Sequence, residues 1–161
     1  MICREKTACF TGHRQLKEPY EVLFLKTRRE VEGLIQRGCI YFAAGGARGF
    51  DALAADVVLK LKEKYPYIYL ILVLPFFNQY VKEKGWSREE IERYERHKKY
   101  ASQVVYTQEA YSSGCYYKRD RCLVDISSVC IAYQYKNTGG TAYTANYALK
   151  QGAEVIRLTC K

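Results

Sequence analysis

Proline, histidine, methionine and tryptophan are scarce in this chain. Its 161 residues hold three prolines, two histidines, one methionine and one tryptophan. With eleven glycines spread along the chain, no stretch reads as a linker, a low-complexity tract or an internal repeat. The seven cysteines form no Cys-x-x-Cys pair and no cluster with histidine, which argues against a structural zinc. Cys9, Cys39 and Cys130 fall in predicted strands and read as small buried hydrophobes in a reducing cytosol. Long apolar runs are also missing. The longest, Ile68 to Leu74, is far too short to span a bilayer. Residues 1–10 carry Arg4 and Lys6 and lack the apolar centre of a signal peptide. These absences lead us to expect a soluble cytoplasmic protein with no membrane partner.

What is present fits one ordinary domain over residues 1–161. Hydrophobic residues make up 48% and charged residues 27%, enough for a full core under a soluble surface. The net charge of +9 favours anionic partners: nucleotides, nucleic acid or an acidic protein surface. Much of the excess, such as Lys60, Lys62, Lys64, Arg93, Arg96, Lys98 and Lys99, lies on predicted helix faces and reads equally well as solvated surface. A homo-oligomer is compatible with the sequence.

Two kinds of segment alternate. Short β-rich runs cover 8–11, 39–44, 67–74, 103–106, 129–133 and 154–158. Helical patterns lie between them at 20–37, 51–65, 88–100, 118–127 and 141–151. Gly38 closes the first helix. Leu53, Ala54, Val57, Val58 and Leu61 give the second a clean apolar face. Ser87 and Glu90 form a capping box that starts a helix at Arg88, with a thin stripe of Ile91, Tyr94 and the stem of Lys98. Strands alternating with helices predict a Rossmann-like three-layer α/β/α fold with a mostly parallel central sheet. Ligands on such sheets bind beyond the carboxyl ends of the strands.

Three glycine-bearing turns fall at those ends. Thr11-Gly12-His13-Arg14 closes the first strand. Gly45-Gly46-Ala47-Arg48-Gly49-Phe50-Asp51 follows the second. Thr138-Gly139-Gly140-Thr141 precedes the helix that holds Thr144. Glycine permits close backbone approach, and the start of a helix offers free N–H groups and a positive dipole end. Arg14 and Arg48 can meet a phosphate, and His13 can meet a phosphate or ribose or act as an acid or base. The second turn lacks the Gly-Lys-Ser/Thr ending of a Walker A loop and is not a Gly-x-Gly-x-x-Gly fingerprint. Each turn also reads as ordinary loop punctuation, with Asp51 and Thr141 as caps. Arg119-Asp120 reads either as an ion-paired or ligand-facing pair or as a surface pair without mutual contact. Phe76, Phe77, Gln79 and Trp86 follow the central strand, where an aromatic side chain can stack on a base or simply cover the sheet end. Tyr111, Tyr116 and Tyr117 lie near a second rim loop, where tyrosines interleaved with basic residues can bind single-stranded nucleic acid or simply reflect composition.

With these residues assembled, the chain resembles the YpsA-like family of the SLOG superfamily of Rossmann-like proteins. The matching set is Thr11–Arg14, Gly45–Asp51 with Ala54-Ala55, Pro75-Phe76 with Gln79 and Trp86, Arg119-Asp120 with Asp125, and Gly139-Gly140-Thr141 with Thr144. It spans Thr11 to Ala148. The resemblance implies a bacterial cytoplasmic protein that binds a nucleotide or an ADP-ribose-like ligand, with a link to cell division or stress. The cytokinin-activating phosphoribohydrolases of the same superfamily carry Pro-Gly-Gly-x-Gly-Thr-x-x-Glu. In that register Thr138 replaces the proline and Asn146 replaces the glutamate, which speaks against N-glycosidic hydrolysis. The DNA-processing protein DprA is similar around Gly139–Leu149.

The leading expectation is a binding module for a nucleotide-type ligand. Gly12, His13, Arg14, Gly45, Gly46, Arg48, Asp51, Phe76, Trp86, Arg119, Asp120, Gly139, Gly140, Thr141 and Thr144 are its candidate site. Two alternatives stand beside it. One is a nucleoside-phosphate glycosidase or hydrolase using His13, Asp51, Asp120 or Asp125. The other is a binder of single-stranded DNA resembling DprA.

Overall fold

Alternating apolar and amphipathic segments fold as their spacing dictates. The computed structural model describes residues 2–158. After one 3-10 turn at Arg4–Lys6, the strands are β1 (Thr7–Gly12), β2 (Tyr41–Ala44), β3 (Tyr69–Leu74), β4 (Gln103–Tyr106), β5 (Val129–Tyr133) and β6 (Glu154–Arg157). The helices are α1 (Tyr20–Gln36), α2 (Phe50–Lys62), α3 (Gln79–Lys82), α4 (Arg88–Tyr100), α5 (Cys115–Asp125) and α6 (Gly140–Lys150). They build a six-stranded sheet of order β4-β3-β2-β1-β5-β6. Every strand pair in it is parallel, so the sheet is wholly rather than mostly parallel.

Chain direction across this sheet explains the layers. From β1 the chain steps outward through β2 and β3 to β4, then returns across the sheet to β5 and β6. Parallel crossovers are right-handed, so the reversal puts the later helices on the opposite face. Accordingly α2 packs on α1 and α4, whereas α5 and α6 pack on each other. Strand side chains divide with a period of two. Ala8, Phe10, Leu70, Leu72 and Leu74 join the larger core under α1 and α2. Cys9, Ile71, Val73 and Cys130 join the smaller core with Leu123, Val124 and Ala148 of α5 and α6. The cysteines read as core residues are indeed buried, although Cys39 precedes β2 instead of lying within it.

Three local differences from the sequence reading matter. α5 begins at Cys115 rather than Lys118, because Gly114 at φ 81° turns the chain into the helix earlier. α3 is a single turn inside the segment read as irregular. Its four residues are too few to show a period. α4 starts with the expected capping box, Glu90 N–H donating to Ser87 Oγ at 3.1 Å. Its buried face, however, is Tyr94 and His97. Arg93 is not a freely solvated charge, and His97 is buried beside it. Both bind Asp56 on α2, with His97 Nε2 2.6 Å from Oδ1 and Arg93 Nε 2.9 Å from Oδ2. The Tyr20 hydroxyl of α1 donates to the same Oδ2 at 2.6 Å. One carboxylate thus ties three helices together.

A second tie joins the first two turns. Gly49 has φ 79°, and a Cβ there would lie 2.1 Å from the Arg14 carbonyl oxygen. Phe50 N–H donates to His13 O at 3.1 Å. The Phe50 ring covers Gly12, where a Cβ would come within 2.5 Å of it, and stacks on Tyr133 of β5 with centroids 5.6 Å apart.

α2 therefore carries two aspartates in opposite electrostatic situations. Burial alone would raise Asp56, but hydrogen bonds from His97, Arg93 and Tyr20 hold its carboxyl well below the ordinary 3.8. Burial pushes Asp51 up to about 6, with Asp120 adding to the shift and Arg119 opposing it. Asp56 stabilises the fold above pH 3.8, and that contribution is lost as pH falls further. Asp51 has the reverse sign. Between 3.8 and about 6 the folded chain keeps a proton that the unfolded chain releases, so its contribution falls as pH rises.

Urea unfolding tests these points. Gly49→Ala is expected to cost about 2 kcal/mol or more, from the disallowed backbone and the clash with Arg14. Asp56→Asn is expected to cost about 2 kcal/mol or more near pH 7.5, because it leaves Arg93 and His97 poorly paired, with the deficit shrinking toward about pH 3. Relative to wild type, Asp51→Asn should be more favourable at about pH 7.5 than at about pH 4, by roughly 2 to 3 kcal/mol. Equal effects of Asp51→Asn at both pH values would contradict the assignment.

Candidate functional site

The strand order reverses direction between β1 and β5, so the loops leaving those two strands diverge and open a crevice. A cleft of about 380 Å³ lies there. β1 and its turn supply Thr11, Gly12, His13 and Arg14. The turn before α2 supplies Ala47, and α2 supplies Asp51. Gly140 and Thr141 open α6, and Tyr116, Tyr117, Arg119 and Asp120 come from α5.

Of the residues expected from sequence, the cleft gathers Gly12, His13, Arg14, Asp51, Arg119, Asp120, Gly140 and Thr141. The others lie elsewhere. Arg48 turns away, donating from Nη1 to Gly85 O at 3.1 Å with its guanidinium 5.5 Å from the Trp86 ring. Arg48, Trp86 and Gly46 line a separate cavity of about 30 Å³ with Tyr94 and His97. Only Ala47 and Asp51 of its walls also face the cleft. Gly45 is packed beneath Arg119, where a Cβ would stand 3.1 Å from Cδ. Phe76 is buried against the Tyr111 and Tyr116 rings. Thr144 is buried too, its hydroxyl donating to Gly140 O at 2.8 Å. Gly139 is the residue before α6, at φ 92°. Asn146 is exposed and does not line the cleft.

Tyr116 and Tyr117 were absent from the expected site. Their signal was the earlier start of α5, which places both on its first turn against the cleft. Recognising Gly114 as the residue before a helix would have brought them in.

The cleft is electrostatically mixed. Arg119 is buried and held on both sides. Its Nε donates to Asp120 Oδ1 at 2.8 Å, and its Nη1 donates to the Gly45 carbonyl. Asp51 is nearly as buried and accepts the Ala47 N–H at 3.3 Å. Buried Arg119 sets one positive charge against the two carboxyls of Asp51 and Asp120, and exposed Arg14 on the rim adds the second cation. His13 is fixed by its neighbours. Its Nε2 accepts the Tyr135 N–H at 3.1 Å, and its ring lies 4.1 Å from that of Tyr135. Burial, with Lys136 and Lys17 nearby, lowers its pKa below the usual 6.5. It is therefore a neutral imidazole at pH 7, with Nε2 used as an acceptor.

Backbone donors complete the picture. The residues preceding α2, α5 and α6 are Gly49, Gly114 and Gly139, and none supplies a side-chain cap. α4, away from the cleft, has a full capping box. The first turn of α6 also carries no acidic residue, so its amides and dipole face the cleft uncompensated. The arrangement can hold an anion through amides and Arg14, and can accept hydroxyl hydrogens at Asp120.

Comparison with known proteins agrees with this architecture. Residues 10–158 match the family YpsA, described as the YspA SLOG family. The uncharacterised SPbeta prophage-derived protein YoqJ of Bacillus subtilis is 30% identical over 133 residues, covering 74% of this chain and 76% of that protein. A UPF0398 protein of Brevibacillus brevis is 28% identical over 131 residues, 77% of this chain and 66% of its own length. Two solved structures share the fold. DNA processing protein A (DprA) of Streptococcus pneumoniae has a TM-score of 0.68 at 15% identity, over 98% of this chain and 51% of that one. DprA of Helicobacter pylori, whose single-stranded DNA binding mode has been described, has a TM-score of 0.67 at 18% identity, over 96% and 66%. This chain thus spans about half to two thirds of those DprA chains. The match over nearly all its length shows that the chain belongs to the YspA SLOG family.

Proposed function

We propose that the cleft binds the phosphate of a nucleotide-type ligand such as an ADP-ribose-like molecule. The observation that carries this reading is the uncapped start of α6, Gly140-Thr141, facing Arg14 across the strand-order reversal. Helix amides and a free arginine on a concave surface are what a phosphate needs. The volume of about 380 Å³ lies within the range of small-molecule pockets. Asp120, fixed by Arg119, stands ready to accept a ribose hydroxyl. Arg48, Phe76 and Trp86, which the sequence put near the ligand, have no part in this cleft.

A second reading has its own support. Tyr117, on the cleft wall, continues into Lys118 and Arg121 on the outside of α5. Aromatic rings alternating with cations suit single-stranded nucleic acid, and a DprA of the same fold binds single-stranded DNA. In that reading the cleft holds a backbone phosphate of a longer strand.

Calorimetry with ADP-ribose, NAD, ATP and cyclic nucleotides tests the first reading. Arg14→Ala is expected to weaken binding about ten-fold, the scale of one charge-assisted contact, whereas Arg48→Ala leaves it unchanged. Absence of binding by the whole panel at millimolar ligand would refute the nucleotide reading. Single-stranded DNA binding that falls steeply between about 50 and 200 mM salt would favour the second. Unchanged mobility of DNA at low salt would remove it.

A further inference from the structure

Beside the cleft, on the other side of Tyr117, lies a bay of about 430 Å³ between the start of α5 and the first turns of α6. Tyr117 is the residue that lines both spaces. The remaining walls include Lys118 and Arg121 from α5, Tyr143 from α6, and Gln108 with Gly114 from the preceding loop. None of its lining residues is acidic.

The aromatic side of this bay is held in place although it is exposed. The Tyr117 ring meets Tyr143 edge to face with centroids 4.6 Å apart, and 44% of Tyr117 remains accessible. Arg121 Nη1 donates to the Tyr143 hydroxyl at 3.0 Å. Tyr143 in turn lies nearly parallel to Tyr147, at 6° and 6.3 Å. The Tyr147 hydroxyl donates to Asp125 Oδ1 at 2.7 Å. An exposed tyrosine ordinarily samples several rotamers. Here one ring leans on a second ring that is fixed by a cation, and that ring on a third fixed by a carboxylate. An immobilised, half-exposed aromatic face costs little further entropy when a flat ring stacks on it.

Resting on the nucleotide reading of the cleft, we propose that this bay is the base subsite of the same ligand. The phosphate sits at Gly140-Thr141 and Arg14, the sugar crosses beside Asp120, and the base lies against Tyr117. Lys118 and Arg121 border the base and attract electron-rich rings. The class of ligand that this geometry recognises is a phosphorylated nucleoside, as distinct from a sugar phosphate without a base. The bay replaces Phe76 and Trp86 as the place for the base, and it requires a ligand long enough to pass Tyr117.

The test compares ribose 5-phosphate with adenosine 5′-monophosphate by calorimetry on the full chain. Wild type is expected to bind the nucleotide about ten-fold more tightly or better, the usual scale of base–aromatic stacking. Tyr117→Ala should erase that advantage, the loss in nucleotide affinity exceeding any loss in ribose 5-phosphate affinity, and an unchanged urea midpoint certifies the fold of the variant. Tyr117→Phe should keep the advantage, because the ring and not the hydroxyl stacks. Equal affinity of the two ligands for wild type, or an advantage that survives Tyr117→Ala, would overturn the base subsite while the phosphate reading stands. Failure of wild type to bind either ligand would overturn both.

Discussion

The site depends on the contact between two turns. Gly49 lies so close to the Arg14 carbonyl that no side chain fits between them, and Phe50 bonds to His13 while its ring closes over Gly12. Phe50 also stacks on Tyr133, so the β1 turn, the β2 turn and β5 become one unit. The Tyr133 hydroxyl accepts the Lys17 N–H at 2.9 Å, and Tyr135 holds His13 from the far side. The backbone of the first turn and the His13 ring are therefore set by packing of neighbouring strands and not by the turn itself. A rigid rim of this kind lowers the ordering cost of any ligand it receives.

The two aspartates of α2 show how burial is divided between stability and binding. Asp56 has three donors and is held ionised, and it fastens α4 and α1 to α2. Asp51 lies deeper but has one amide and a shared arginine, and its proton is held more tightly than usual. A fold selected for stability alone would not keep a second buried acid beside Asp120. Its place at the meeting of the cleft and the small inner cavity is the place where charge would be felt by a bound anion.

The sequence made the architecture legible because hydrophobic period and turn chemistry agreed along most of the chain. All six strands and the five long helices lie close to where alternation put them. The site was legible in its backbone parts: Gly12, Gly140 and Thr141 lie at strand ends by topology alone. Side chains were less so. Arg48 and Arg14 are both arginines in glycine-bearing turns, and sequence gave no reason to separate them. The structure does, because Gly85 O and Trp86 capture Arg48 while Arg14 is left facing the cleft. His97 gave no signal either, since its partner Asp56 is remote in sequence and sits on another helix. Arg119-Asp120 was legible as an ion pair, and the buried arginine does bend its guanidinium back to the next carboxylate.

The same geometry bears on whether such a cleft holds its ligand or cuts it. Hydrolysis of a glycosidic or phosphate bond needs a group free to move a proton at the reacting atom. His13 spends Nε2 on the Tyr135 amide and is kept neutral by burial and two lysines. Asp120 is bound to Arg119, and Asn146 is an exposed amide outside the cleft. Asp51 combines a cleft position with a pKa raised to about 6, and it lies near the charges of Arg119 and Asp120. An acid there would tune the charge felt by a phosphate bound as proposed, and the bay proposed for the base is lined by no acid.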